Sequence, residues 1–257
     1  MNVRPYLYGV IAILLFSSPA IAKIRDFQFI EDLTFTMPGE VSFDQGMNNA
    51  RSRRFVKTDA AGNLLNTENG RTVVPTNIAY GVSEKFELSL EVPYVFLDNT
   101  VDDYNGVGDI GIRQKMRLSD QADGKAWISS ALGLRFEAPT GDMKRGLGNG
   151  KSDVELFGIG MKEAGIAKFL VNLGYNFVGG EKYANEFKYS AGVNAIIHPG
   201  FSFLMEFSGV AGTKDERYLA PGFLFEMRGM AVRFGTQFGI SRDSYKYRWN
   251  FSTTSNS

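Results

Sequence analysis

The sequence predicts an all-β protein: a transmembrane, antiparallel, up-and-down β-barrel of about twelve strands. Three observations predict it. From Pro38 onward, short runs alternate apolar and polar residues, and no long stretch carries a 3.6-residue period. The connections between runs alternate between short and long. Finally, Tyr245-Lys246-Tyr247-Arg248-Trp249-Asn250-Phe251 places an aromatic residue at every second position. Strand side chains alternate faces, so this segment predicts Tyr245, Tyr247, Trp249 and Phe251 toward lipid. Lys246, Arg248 and Asn250 are then expected to face a lumen.

The N-terminus reads as an export signal. Arg4 is followed by an apolar run, Tyr6 to Phe16, that is too short to span a bilayer as a helix. Small residues follow and end in Ala20-Ile21-Ala22, an A-x-A cleavage site, so cleavage is expected after Ala22. Residues 23–37 are expected to form a periplasmic arm or a lumen plug, 38–251 the barrel in the outer membrane, and 252–257 a polar tail.

Composition narrows the class. Cysteine is absent, which excludes a disulfide framework, a thiolate metal site and a lipobox. Basic and acidic residues number 28 each. Removing the signal takes away only Arg4 and leaves 27 against 28, a net of −1. Nothing suggests a nucleic-acid partner. The 29 glycines and 21 phenylalanines suit strands that pack small residues against large ones.

Strands are expected near 38–47, 71–82, 86–96, 108–118, 125–137, 153–163, 167–178, 186–196, 201–210, 218–227, 231–240 and 245–251. Most are close to the ~9–11 residues that cross a bilayer at a tilt. Phe86, Leu88, Leu90, Val92, Tyr94 and Phe96 share one face, and Glu87, Ser89 and Glu91 the other. Phe169, Val171, Leu173, Tyr175 and Phe177 oppose Lys168, Asn172 and Asn176. The 153–163 run is ambiguous, because glycines sit beside Phe157, Ile159 and Met161. Long links at 48–70, 97–107, 138–152, 179–185 and 211–217 are expected outside the cell, and short turns in the periplasm. The short 241–244 link breaks that trend.

The inward charges are the candidate site. Glu87, Glu91, Asp109, Arg113, Lys115, Arg117, Arg135, Lys188, Glu206, Arg233, Lys246 and Arg248 are expected to line the lumen. They read either as a selectivity lining or as salt-bridged pairs that fill a narrow barrel. Other motifs carry less. Gly106-Val107-Gly108-Asp109-Ile110-Gly111 matches G-x-G-x-x-G, but an alternating strand follows where a dinucleotide site needs a helix. Gly146 to Ser152 resembles a P-loop with Arg145 in place of a required glycine. His198, the only histidine, sits in the turn His198-Pro199-Gly200 and reads as a turn residue. Asp98, Asp102 and Asp103 read as a solvated acidic loop without the spacing of a calcium site. No catalytic, metal or cofactor site is expected.

Several segments together resemble a known family. Asn77-Ile78-Ala79-Tyr80-Gly81-Val82-Ser83 with Phe86 to Tyr94 resembles the first hairpin of the outer-membrane barrels labelled MetA-pathway of phenol degradation. Gly106 to Lys115 is similar to its G-x-G-D strand start, and Leu132 to Asp142 to its strand ending in P-T-G-D. Gly148 to Asp153 and Asn172-Leu173-Gly174-Tyr175 continue the order. The resemblance implies passive transport of small molecules, hydrophobic or aromatic ones among them, and supplies no catalytic residues. The expected function is thus an outer-membrane channel or transporter, with a non-conducting structural or adhesive barrel as the alternative. The expected partners are outer-membrane lipid and lipopolysaccharide, a small-molecule solute, and the barrel-assembly machinery. Arg51, Arg53 and Arg54 are the candidate lipopolysaccharide contacts, and loop 138–152 and arm 23–37 the candidate gates.

Overall fold

A computed structural model describes residues 31–51, 68–99, 101–179, 185–212, 215–227 and 230–256. The signal Met1–Ala22, residues 23–30 of the arm, and Arg53 and Arg54 lie outside the described residues. The strands are β1 (Val41–Arg51), β2 (Glu68–Ser83), β3 (Phe86–Asn99), β4 (Tyr104–Val107), β5 (Ile110–Ser119), β6 (Ser129–Ala138) and β7 (Asp153–Ala164). They continue as β8 (Ala167–Val178), β9 (Glu186–His198), β10 (Phe201–Ala211), β11 (Glu216–Met227), β12 (Met230–Gly239) and β13 (Tyr247–Asn256). Each pairs antiparallel with its neighbours, and β1 pairs with both β2 and β13, which closes the barrel. Closure leaves no open edge along the staves, the arrangement that lets a sheet cross lipid.

Thirteen strands make twelve staves. β3 pairs with β4 through Tyr94–Leu97 and with β5 through Phe86–Glu91. Between them the Gly108 N–H donates to the Pro93 carbonyl at 2.9 Å. β4 and β5 are therefore one stave, broken at Gly108 and Asp109.

The alternation produces two opposite surfaces. On β3, Leu88 and Leu90 are 43% and 41% exposed, whereas Glu87 and Ser89 are buried inside. Phe169, Val171, Leu173, Tyr175 and Phe177 form a similar outer row on β8. A barrel in water would leave these side chains unburied; lipid covers them. Trp127, 77% exposed, marks the short-turn end, where the Lys162 ammonium lies 4.7 Å from its ring centre.

β7 resolves its ambiguity in the less usual sense. Phe157 and Ile159 point inward and Leu156 outward. The inward pair is covered by the segment before β1: Leu33 and Phe35 pack against Ala131, Phe157, Ile159 and Leu170 inside the barrel. The segment leaves the barrel past Gly81, where the Gly39 N–H donates to the Gly81 carbonyl at 2.7 Å. A Cβ at Gly81 would collide with the Met37 carbonyl, so only glycine allows this approach.

Several boundaries differ from expectation: β1 is shifted to Val41–Arg51, and β2 and β3 reach further toward the long loops. The β5–β6 turn is longer, because the Asp120 carboxylate caps a 3₁₀ turn, Gln121–Asp123, and β6 begins only at Ser129. The β12–β13 link spans residues 240–246, so Tyr245 and Lys246 precede the strand. β13 continues through the expected tail to Asn256, and Ser252, Thr253, Thr254 and Ser255 pair with β1 and β12. These polar residues alternate as a strand should, but no aromatic marked them.

Candidate functional site

The lumen is built in levels. At the short-turn end, Lys115 on β5 is 1% exposed, and its ammonium donates to the carbonyls of Asp32 (3.2 Å) and Thr34 (2.6 Å). It also lies 3.4 Å from Glu87 and 4.7 Å from the centre of the Phe35 ring. Glu87 accepts from the backbone N–H and hydroxyl of Thr36 at 2.6 and 2.9 Å. The Arg117 guanidinium also lies over the Phe35 ring, 4.6 Å from its centre, and pairs with Asp120 at 2.9 Å. Three expected lumen charges thus grip the plug segment. Glu206 is fully buried in the wall on β10.

Above the plug lie two chambers of about 610 and 500 Å³. Arg135, Glu155, Lys188, Val210, Glu216 and Arg248 line both and form the junction between them; Glu31 of the plug segment lines only the larger, lower chamber, and Asn149 and Lys151 of the mouth loop only the other. The charges at the junction alternate in sign around the wall: Arg135 on β6, Glu155 on β7, Lys188 on β9, Glu216 on β11 and Arg248 on β13. Arg135 pairs with Glu91 (3.3 Å) and Glu137 (3.1 Å), Lys188 with Glu155 (2.9 Å), and Arg248 with Glu216 (3.3 Å). Below it, Arg113 joins Glu31 (2.6 Å) to Glu91 (3.2 Å). Arg233 binds Asp44 at 3.0 Å together with the hydroxyls of Ser252 (3.0 Å) and Thr254 (2.5 Å).

Arg248 is further held between two rings, 4.3 Å from the centre of Tyr218 and 4.7 Å from that of Tyr245. Tyr245 therefore faces the lumen, contrary to the predicted stripe. It sits in the link before β13, where alternation does not govern it, and its hydroxyl donates to Glu68 at 2.5 Å. Burial, with the Glu68 carboxylate alongside, raises its pKa far above the ordinary phenol range. Tyr247, Trp249 and Phe251 keep the outer face opposite Arg248, Asn250 and Ser252.

Two expected lumen residues lie elsewhere. Lys246 is exposed in the link before β13. Asp109, in the break between β4 and β5, accepts from the Gly141 N–H (2.9 Å) and the Asn149 N–H (2.8 Å). Thr140 adds a bond to Gly108 and one from Ile110, both 2.9 Å. Asp142 caps the 3₁₀ turn Met143–Arg145, and Gly148 presses on the Asp109 carboxylate so closely that a Cβ would not fit. Loop 139–152 is thereby fastened to the barrel mouth, with Leu147 buried against Val95 and Leu97.

Of the twelve expected lumen residues, Glu91, Arg113, Arg135, Lys188, Arg233 and Arg248 line the chambers. Arg71, Asp44, Glu155 and Glu216 line them too and were not singled out. Arg71 and Asp44 obey the same alternation. Glu155 lay in the ambiguous run, and Glu216 in an expected loop.

No family model matches the sequence, and no curated protein is similar to it. Solved structures do share the architecture. The COG4313 outer membrane channel from Pseudomonas putida F1 superposes with a TM-score of 0.66 at 13% identity, over 92% of this chain and 100% of that one. The KdgM porin, solved in complex with disordered oligogalacturonate, gives 0.57 at 9% identity, over 83% and 98%. The toluene transporter TbuX from Ralstonia pickettii gives 0.50 at 8% identity, over 86% and 90%. These likenesses are of fold. Together with the lipid-facing surface they define the class: a porin-like, twelve-stave outer-membrane β-barrel.

Proposed function

We propose that the chain is an outer-membrane channel for the passive movement of small molecules, with no chemistry performed on them. The observation that carries this reading is the pair of chambers inside the barrel, joined where both are lined by charges of alternating sign. In this orientation the short-turn end faces the periplasm and the plug closes that side. The family resemblance and the named transporters of like fold support the same class. Hydrophobic or aromatic cargo, which the resemblance implies, finds an apolar patch at the mouth where Val73 and Tyr104 flank Leu147. Lipid, lipopolysaccharide and the assembly machinery are the remaining proposed partners, and cleavage after Ala22 the proposed maturation step.

One observation favours a second reading. The plug fills the short-turn end with apolar and ion-paired contacts, which suits a non-conducting structural or adhesive barrel. Planar-bilayer recordings decide between the two. The channel reading expects discrete ion currents, larger after residues 23–37 are removed. No current from either form would defeat it.

A further inference from the structure

The lower chamber has a chemical bias that narrows the cargo. Six cationic side chains among the described residues line it: Arg71, Arg113, Arg135, Lys188, Arg233 and Arg248. Each stands in an ion pair with a carboxylate of the lumen. The carboxylates paired with them number seven, Glu68 and Glu137 standing just beyond the chamber's lining. Among the described residues the wall therefore carries much charge and offers none of it unpaired. A charged solute would have to break an existing pair or remain unpaired itself, and both are costly away from bulk water.

Three of the five unmet polar atoms among the described lining residues belong to neutral amides. Asn77 on β2 is 7% exposed and lines the chamber between Asp44 and Glu91, its register partners. Both carboxylates are already engaged by arginines. Neither the Nδ2 nor the Oδ1 of Asn77 meets a hydrogen-bond partner among the described residues. Across the lumen, Asn172 spends its Nδ2 on the Glu31 carbonyl at 2.5 Å, and its Oδ1 has no partner there. The Nε groups of Arg71 and Arg135 are likewise unmet. Buried amides are rarely left unsatisfied, because the desolvation of each polar group goes uncompensated. Val73, Pro75, Phe157, Tyr189 and Tyr218 supply the apolar part of the wall. The volume falls within the ~300–1,000 Å³ of small-molecule sites.

We infer that the lower chamber is a binding site for an uncharged small molecule with an apolar face and hydrogen-bonding groups, and that Asn77 and Asn172 recognise those groups. This rests on the channel reading and deepens it. An anion, a cation or a plain hydrocarbon each fits worse: the first two meet no free charge, and the last leaves the amides unmet.

Four probes that share one ring test it: benzyl alcohol, benzoate, benzylammonium and toluene, each titrated against single-channel current in planar bilayers. Benzyl alcohol is expected to reduce the current at the lowest concentration. Asn77→Leu and Asn172→Leu should each raise that concentration roughly fivefold, the value of one neutral hydrogen bond. Asn77→Asp, which adds a carboxylate without a matched cation, should turn the preference toward benzylammonium. Heat-modifiable migration on gels confirms that each variant is folded. Equal or stronger block by benzoate, benzylammonium or toluene in the unmodified protein overturns the inference, as does unchanged block in both leucine variants. If no current is seen at all, the channel reading fails separately. Equilibrium dialysis of the detergent-solubilised protein against the same four compounds then decides the site by the same order of preference.

Discussion

Lys115 shows how far one residue can be read from sequence. Alternation with Met116 and Leu118 places it on the inner face, and that is its place. Its partners were not legible, because the backbone carbonyls of Asp32 and Thr34 come from a segment without strand periodicity. Tyr245 is the reverse case: a clear pattern pointed outward, but pattern binds only residues whose backbone is paired. Replacing Lys115 with methionine keeps much of its bulk and leaves Glu87, which is 5% exposed, without its cation and with only the Thr36 hydrogen bonds. Loss of one partner from a buried pair costs about 3–5 kcal/mol. Lys115→Met should therefore loosen the plug and increase single-channel conductance above that of the unmodified barrel. Unchanged conductance would mean that Leu33 and Phe35 hold the segment without it.

Among the elements, the strands were the most legible and the links the least. All twelve staves were visible, since a period of two survives even where one end is uncertain. β7 hid its inner face, because its apolar residues turn inward to receive the plug while Gly158 and Gly160 turn outward. Loop 139–152 carries the clearest consequence at this scale. Its hold on the mouth passes through Asp109, which the sequence placed in a strand and the fold places in a break between two. In Asp109→Ala, the N–H groups of Gly141 and Asn149 lose their acceptor. The loop should then open locally, as segments with few remaining contacts do. Trypsin should cleave after Lys144 or Arg145 several times faster than in the unmodified protein, while the barrel stays intact on gels. Equal cleavage rates would mean that Leu147 and Thr140 suffice.

For the molecule as a whole, fold class was legible because the two faces of every stave answer to two different solvents. The chambers were not, because their shape depends on which inward charges find each other across the lumen. The seam between β1 and β13 depends on such a meeting. Arg233 binds Asp44 on one strand and Ser252 and Thr254 on the other, all with little exposure. Arg233→Ala leaves Asp44 buried without its cation, at about 3–5 kcal/mol. The folded, fast-migrating form on unheated gels should convert to the slow form at a lower temperature than in the unmodified protein. An unchanged conversion temperature would show that backbone pairing alone holds the seam.

That seam also orders events in time. Asp44 and Thr254 touch across 210 positions of sequence. Every other junction joins staves that follow one another along the chain, and those can zip soon after they are made. The β1–β13 junction must wait for β13. Until then β1 and the newest strand each present an unpaired edge, the template on which chains add to one another. Contacts so distant in sequence are slow to form, since the closure entropy must be met before they contribute anything. The barrel therefore passes through its period of greatest hazard immediately before it is complete, and that is the interval in which an assembly partner would matter most.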